Sequence, residues 1–440
     1  MEFYQTTKKK GLFITIMKRM ISILKKYYHY MKYKRLLKYR KYAGLGADYR
    51  SVSLAKEYLK DRLYLLLLHV FYIFPIKKNR ILFMSFEAGK YACNPRRISE
   101  YLAKNYPGEF EIIWAFKNDE GYGWLKDWGV TRTVRYGTLK FYRTALTSRV
   151  FVYNMRIPAM IPFRKKQTTI GTGHGGGAYK KLLLDNPNLR STERKIQKLS
   201  ASHTDILVSS CKYYTDYVVR GAFDHKGECI ECGMPRNDEL VNHKDNQMAD
   251  YIRKYYDIPR ENKIILYAPT YRKGRRNEAT DYNLDVKGIV EAAKERFGGE
   301  WTILYRMHYF IKKRLPEDLH GQHIIDVTDY GDMQDLLLAS DILITDYSSS
   351  VWDYSLLGRP CFLYTTDLDE YLDKQGFYVD VRDWGFPIAK NNEELTNNIR
   401  NFDENDKKGV ENHQSIFGTF EKGTATETLA KRIHKECFGA

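Results

Sequence analysis

The sequence predicts an α/β protein made of two halves, each a parallel sheet with helices between its strands. Three observations carry that expectation. Short apolar, β-branched runs recur from residue 81 to 171 and again from 263 to 364, and segments of helical period separate them. Strands that alternate with helices pair in parallel, because each crossover needs a covering helix. The 440 residues, 43% hydrophobic and 14% aromatic, suffice for two cores of ordinary size, and neither a short fixed repeat nor a low-complexity segment interrupts them.

Taken in order, the chain begins with a strongly basic segment. Residues 1–50 hold 14 Lys/Arg against Glu2 and Asp48, which accounts for about two thirds of the formal net charge of +18. From Leu12 to Met31, Phe13, Met17, Met20, Leu24 and Tyr28 share one helical face, with Lys18, Arg19, Lys25 and Lys26 on the other. KYKRLLKYRKY (32–42) continues the basic and aromatic mixture. A secretory signal is excluded, since no uncharged run with a small-residue cleavage site follows. A basic amphipathic helix suits an anionic membrane surface, and its apolar face selects lipid over nucleic acid. The run from Leu63 to Ile76 is too short to span a bilayer, which takes about 20 residues. It is a buried helix or a second interfacial segment.

ILFMSF (81–86) reads as the first buried strand, followed by the loop EAGKYACNP and a helix from Pro95 to Asn105. FEIIWAF (110–116), SRVFVYN (148–154) and TTIG (168–171) are further strands. The pattern restarts with KIILYAPT (263–270), WTILYRMH (301–308), HIIDVTD (323–329), DILITD (341–346) and CFLY (361–364). The expected division is a helical region 1–77, a first α/β domain 78–240 and a second 241–440. Six scattered cysteines include one CxxC, Cys229 and Cys232, with neither a second pair nor suitably spaced histidines. Reduced thiols and a cytosolic face are expected.

Three places could carry chemistry. After the strand Ile342–Thr345, the turn Asp346-Tyr347-Ser348-Ser349-Ser350 leads into a helix stopped by Gly358 and Pro360. A strand, a serine turn and a helix start can hold an anion, although serine there more commonly only caps the helix. Gly171-Thr-Gly-His174-Gly175-Gly176-Gly177 embeds a histidine among glycines, which lets backbone approach a ligand and leaves the imidazole available as a base. Its formal match to a dinucleotide-binding loop lacks the acidic strand end that such a site requires. Lys180 and Lys181 follow it as counter-charges to an anion. In the second half, Thr270, Arg272, Arg306, His308, Ser348 and Ser349 all fall at strand ends, where open α/β sheets collect ligands, and Arg236 lies at the boundary between halves. The set points to a phosphorylated ligand in an interdomain cleft.

These stretches resemble one family in order and spacing from about residue 78 to about 435. IGTGHGGGAYKK is similar to the WHGGGAFKK motif of the CDP-glycerol glycerophosphotransferases, the teichoic acid primases and polymerases. GMPRND resembles their GYPRND, ILYAPTYR their ILYAPTWR, RMH their RPH, and ITDYSSSVWDYSLLGRP their ITDYSSVMFDFALLDKP. SFEAGKYACNPRRISEYL and YLDKQGFYVDV resemble the family stretches SFNGKQYSDNPKAIYEYL and YRDERGFYFDY. Gly173, Met307 and Gln375 depart from the family's Trp, Pro and Arg.

The resemblance implies a GT-B fold, with an acceptor domain (78–240) and a CDP-polyol donor domain (241–440), both Rossmann-like, facing across a cleft. It implies transfer of a polyol phosphate, foremost glycerol phosphate, to a prenyl-diphosphate-linked glycan or a growing polyol-phosphate polymer, with release of CMP. His174 corresponds to the base and His308 to the group that stabilises the donor diphosphate. Arg236, Thr270, Arg272, Arg306, Ser348, Ser349 and Asp353 fall on donor-binding motifs, while Gly175, Gly176, Lys180 and Lys181 fall on the acceptor loop. Neither a cofactor nor a metal is expected beyond CDP-glycerol or CDP-ribitol as the donor substrate. A ribitol-phosphate or capsule enzyme of the same fold, or a non-catalytic membrane scaffold, remains open, as does self-association. The expected location is the cytoplasmic face of the membrane, held peripherally.

Overall fold

Seven strands form the first sheet: β1 (Lys77–Met84), β2 (Glu111–Phe116), β3 (Arg132–Arg135), β4 (Ser148–Tyr153), β5 (Thr168–Gly171), β6 (Ile206–Ser209) and β7 (Glu228–Glu231). Six form the second: β8 (Lys263–Tyr267), β9 (Trp301–Tyr305), β10 (Ile324–Asp326), β11 (Ile342–Thr345), β12 (Cys361–Tyr364) and β13 (Ile388–Ala389). This is a computed structural model. It describes residues 61–439 apart from 62, 187, 244–246, 271–283, 308–322 and 375, all within one compact unit, Tyr58–Ala440. The basic helix expected over residues 12–31 lies outside the described residues.

The first sheet runs β3-β2-β1-β4-β5-β6-β7 and the second β10-β9-β8-β11-β12-β13. Every pairing is parallel. Helices cover both faces of such a sheet, so its central strands are apolar throughout rather than alternating. Ile81, Leu82 and Phe83 are accordingly all fully buried, as are Ile264, Ile265 and Leu266. In each sheet the order reverses between two central strands, β1 and β4 or β8 and β11. Beyond the carboxyl ends of those pairs opens the crevice where doubly wound sheets bind ligands.

Four strands were missed from sequence. β3 and β7 carry charged or half-exposed residues, the two-residue β13 is too short to show a period, and β6 is four residues long although wholly buried. The second apolar run divides its character: Leu68, Phe71 and Phe74 are buried, whereas Leu63, Leu66 and Ile73 are exposed. No helix among the described residues is long and apolar enough to cross a membrane.

The last helix, Ala425–Phe438, returns to the first sheet instead of staying with the second. Asp238 caps its start by accepting from the N–H of Ala425 (2.9 Å) and Thr426 (2.7 Å). Glu436 near its end pairs with Arg149 at 2.7 Å, beside β4. The two lobes are thus tied by chain that order alone would assign to the second.

Candidate active site

His174 follows β5 in the first lobe. Its Nδ1 lies 3.1 Å from the carbonyl oxygen of Asn154, at the end of β4. A carbonyl only accepts, so Nδ1 carries the proton and Nε2 keeps its lone pair. Phe86 stands edge-on to the ring, with centroids 5.8 Å apart. The imidazole lines two cavities, of about 250 and 670 Å³, that share Thr270, Ser348 and Ser349. It is open to those cavities yet deep between the lobes. That desolvation lowers its pKa from the ordinary histidine value, reinforced by the charge of Arg236 and opposed by the Asn154 bond. A neutral imidazole with a bare Nε2 is suited to take a proton.

The glycines beside it line the larger cavity and also meet the second lobe directly. A Cβ on Gly176 would lie 1.8 Å from Cδ1 of Trp352, and one on Gly175 would lie 2.9 Å from Oγ of Ser349. The loop is glycine-rich because the second lobe packs directly onto it. Gly173, with φ of +65°, leaves room for the Tyr214 hydroxyl, 2.9 Å from where a Cβ would stand. This geometry accommodates the departure from the family's tryptophan. Lys180 forms an antiparallel bridge with Phe377 and sits 5.5 Å from the Tyr371 ring centroid. The Lys181 amide donates to the Gly376 carbonyl at 3.1 Å. Both lysines therefore belong to a seam between the lobes, although Lys180 also lines the larger cavity.

In the second lobe the serine turn is where the sequence places it, but its helix, Ser350–Ser355, has only six residues. Ser349 occupies the N-cap without a capping side-chain bond, and Ser348 Oγ accepts from the Ser350 amide at 3.2 Å. Thr270 donates its amide to Asp346 at 2.9 Å, and its hydroxyl also bonds that carboxylate. The strand ends of β8 and β11 are thereby locked together.

Arg236 and Asp353 form an ion pair at 2.8 Å, only 4% and 2% exposed. Arg236 Nη1 also donates to the His174 carbonyl, and Gln334 Nε2 donates to Asp353 at 3.0 Å. Burial raises the Asp353 pKa while Arg236 pulls it down; these donors all stabilise the carboxylate. Both residues line the smaller cavity, but their charges are spent on each other across the lobe boundary. Arg306, at the end of β9, differs. Its Nη1 is buried with no hydrogen-bond partner among the described residues, and it lines the same cavity. A buried, unpartnered guanidinium N–H is costly unless an anion completes it. His308 and Arg272 lie outside the described residues.

Several contributors escaped the sequence reading. Arg96 reaches Asp332 of the other lobe at 2.9 Å, and Arg97 reaches Asp335 at 3.3 Å. Buried Glu421 accepts from Met234 N (2.9 Å), Asn237 Nδ2 (3.0 Å) and Trp352 Nε1 (2.9 Å), and so bonds both lobes. Phe86, Glu87 and Ala88 are consecutive non-glycine residues with φ of 47°, 52° and 64°. Only the loop itself was visible from sequence; none of these contacts has a local signature.

With that geometry in view, similarity decides the family. The sequence model of CDP-Glycerol:Poly(glycerophosphate) glycerophosphotransferase matches residues 66–435. The chain belongs to this family. Within it, the teichoic acid glycerol-phosphate transferase of Staphylococcus aureus is 31% identical, over 81% of this chain and 93% of its own length. The teichoic acid poly(glycerol phosphate) polymerase of Staphylococcus epidermidis is 33% identical over 82% of this chain, which spans about half (51%) of that protein. A solved structure of the wall teichoic acid polymerase TagF, a histidine variant soaked with CDPG, superposes with a TM-score of 0.73 at 28% identity, covering 88% of this chain and 98% of that one. The chain thus has the GT-B-like arrangement of two parallel α/β lobes.

Proposed function

We propose that this protein transfers glycerol phosphate from CDP-glycerol to a hydroxyl of a teichoic-acid-type acceptor, releasing CMP. The observation that carries the reading is His174: a neutral imidazole, fixed by Asn154, at the junction of two cavities. The smaller cavity, lined by the serine turn and by Arg306, whose Nη1 has no hydrogen-bond partner among the described residues, suits the donor diphosphate. The larger, lined by Arg156, Lys180 and several tyrosines, suits the acceptor. Glycerol is preferred to ribitol because the relatives described above are named for glycerol phosphate.

In the proposed reaction the acceptor oxygen attacks the β-phosphorus as His174 Nε2 takes its proton. The new O–P bond forms while the bridging bond to the α-phosphate breaks, and CMP leaves with that electron pair. Phosphoryl transfer depends mainly on positioning and charge neutralisation, which Arg306 and the hydroxyls of Ser348 and Ser349 supply. His308, by family motif, is assigned to the diphosphate. Arg236 and Asp353 hold the lobes at the distance this requires. The basic N-terminal region keeps the enzyme at an anionic membrane face, where the prenyl-linked or polymeric acceptor is found.

CMP release from CDP-glycerol and CDP-ribitol, with wild type and His174→Ala, tests the reading. Turnover of CDP-glycerol that His174→Ala reduces at least about 100-fold is expected. Near-native release by the variant removes the mechanism. Tight CDP-glycerol binding without turnover by wild type points instead to a non-catalytic scaffold.

A further inference from the structure

The smaller cavity holds a hydroxyl that neither the motifs nor the reaction has used. Of the residues that line it, three have a buried polar atom with no hydrogen-bond partner among the described residues: Nη1 of Arg306, Nε of Arg236 and Oγ of Ser350. All three can donate, and the two guanidinium groups can only donate. Ser350 is 6% exposed, so its hydroxyl has left water without gaining a partner, which is unfavourable unless a ligand supplies one. Unpartnered donors from three residues of one cavity call for an acceptor, and an anion serves them all.

The start of the helix does not account for this side chain. Ser349, not Ser350, is the N-cap, the helix has only six residues, and the Ser350 amide already donates to Ser348 Oγ at 3.2 Å. The helix itself is held firmly. Gln414, from the helix Glu404–Ile416, donates through Nε2 to the Trp352 carbonyl and to Ser355 Oγ, each at 2.8 Å, and Trp352 Nε1 donates to Glu421 at 2.9 Å. The Ser350 Cβ is thereby fixed at the cavity wall. Its hydroxyl is also an addition to the pattern that the chain otherwise resembles. Where this sequence reads DYSSSVWD (346–353), the family stretch reads DYSSVMFD, with valine at the place of Ser350. Packing alone is satisfied by an apolar side chain there, so the polar atom answers to something else.

We propose that the Ser350 hydroxyl donates to the α-phosphate of the donor and holds it as CMP leaves. Position separates it from its neighbours. Ser348 and Ser349 line both cavities, whereas Ser350 lines only the smaller one. Attack in line brings the acceptor from the larger cavity past His174, so the leaving α-phosphate points the opposite way, into the smaller cavity. As the bridging bond breaks, that phosphate gains a second negative charge, and a donor placed on it binds more strongly. The inference rests on the donor reading given above, and it adds to that reading a contact for the leaving group.

The test compares wild type with Ser350→Ala. CMP and inorganic phosphate binding are measured by calorimetry, cytidine binding by competition against CMP, and the melting temperature and kcat/KM for CDP-glycerol are measured for each protein. Loss of a hydrogen bond to a charged group predicts CMP binding about tenfold weaker in Ser350→Ala and kcat/KM lowered at least as much, with cytidine changed less than about twofold. Because the hydroxyl has no protein partner to lose, the melting temperature should stay within about 2 °C of wild type or rise. Unchanged CMP affinity overturns the proposal. So does equal weakening of CMP and cytidine, or a melting temperature lowered by several degrees, since either marks a role in shaping the turn. Inorganic phosphate separates this inference from the functional reading. If wild type does not turn over CDP-glycerol yet binds phosphate in a Ser350-dependent way, the anion subsite stands and the donor reading falls. CDP-glycerol turnover with CMP affinity independent of Ser350 gives the reverse.

Discussion

Replacing Gly176 by alanine puts a methyl group where the Trp352 indole lies. The added Cβ would fall 1.8 Å from Cδ1 and 2.3 Å from Nε1, against an ordinary contact of 3.4 Å or more, so the ring must retreat by about 1.6 Å. Trp352 is fully buried and its Nε1 donates to Glu421 at 2.9 Å; a shift of that size breaks the bond. Overpacking costs about 1–3 kcal/mol, and a lost hydrogen bond to an acidic group about 1.5–3 kcal/mol more. The expected destabilisation is about 3–5 kcal/mol. Gly175→Ala meets only the Ser349 side chain, at 2.9 Å, and should cost less, about 1 kcal/mol or slightly more. Urea unfolding of the full chain, followed by tryptophan fluorescence, measures both. If Gly176→Ala unfolds at the wild-type midpoint while its KM for the donor rises, the glycine exists for the ligand and the lobe-packing argument is wrong.

Three further predictions follow from the same geometry. Asp353→Asn leaves the Arg236 guanidinium buried without its counter-charge and should cost about 3–5 kcal/mol; a midpoint unchanged in urea contradicts the lobe-tying role. Because burial lowers the His174 pKa, the imidazole stays neutral through the ordinary histidine range. The acid limb of kcat/KM should therefore lie below about 6.5, and a limb above that value in a pH–rate profile argues against His174 as the base. Burial pushes the Glu421 carboxyl up to about 7 from 4.5. Between those values the unfolded chain gives up its proton and the folded one keeps it, so stability falls as pH rises from 4.5 to 7. That shift corresponds to about 3 kcal/mol. Glu421→Gln should abolish the fall, and the wild-type-minus-variant difference at pH 5 and pH 8 isolates it from other groups.

The sequence by itself determined the α/β class, nine of the thirteen strands among the described residues and the serine turn. These depend on local properties: an apolar run the length of a strand, or the turn chemistry of adjacent residues. It also set His174 at a strand end, since the position follows from order along the chain. The rest was decided where the lobes meet. Gly175 and Gly176 suggested an open ligand loop, and they do line the larger cavity, but their further constraint by Ser349 and Trp352, more than 170 residues away, was not visible. Arg236 and Asp353 each looked like a contact for phosphate, and only their approach to 2.8 Å shows the charges spent on each other. Arg306 was legible as a strand-end cation, but that its Nη1 is buried without a hydrogen-bond partner among the described residues was not, because the electrostatic cost of a charge is set by what surrounds it in space.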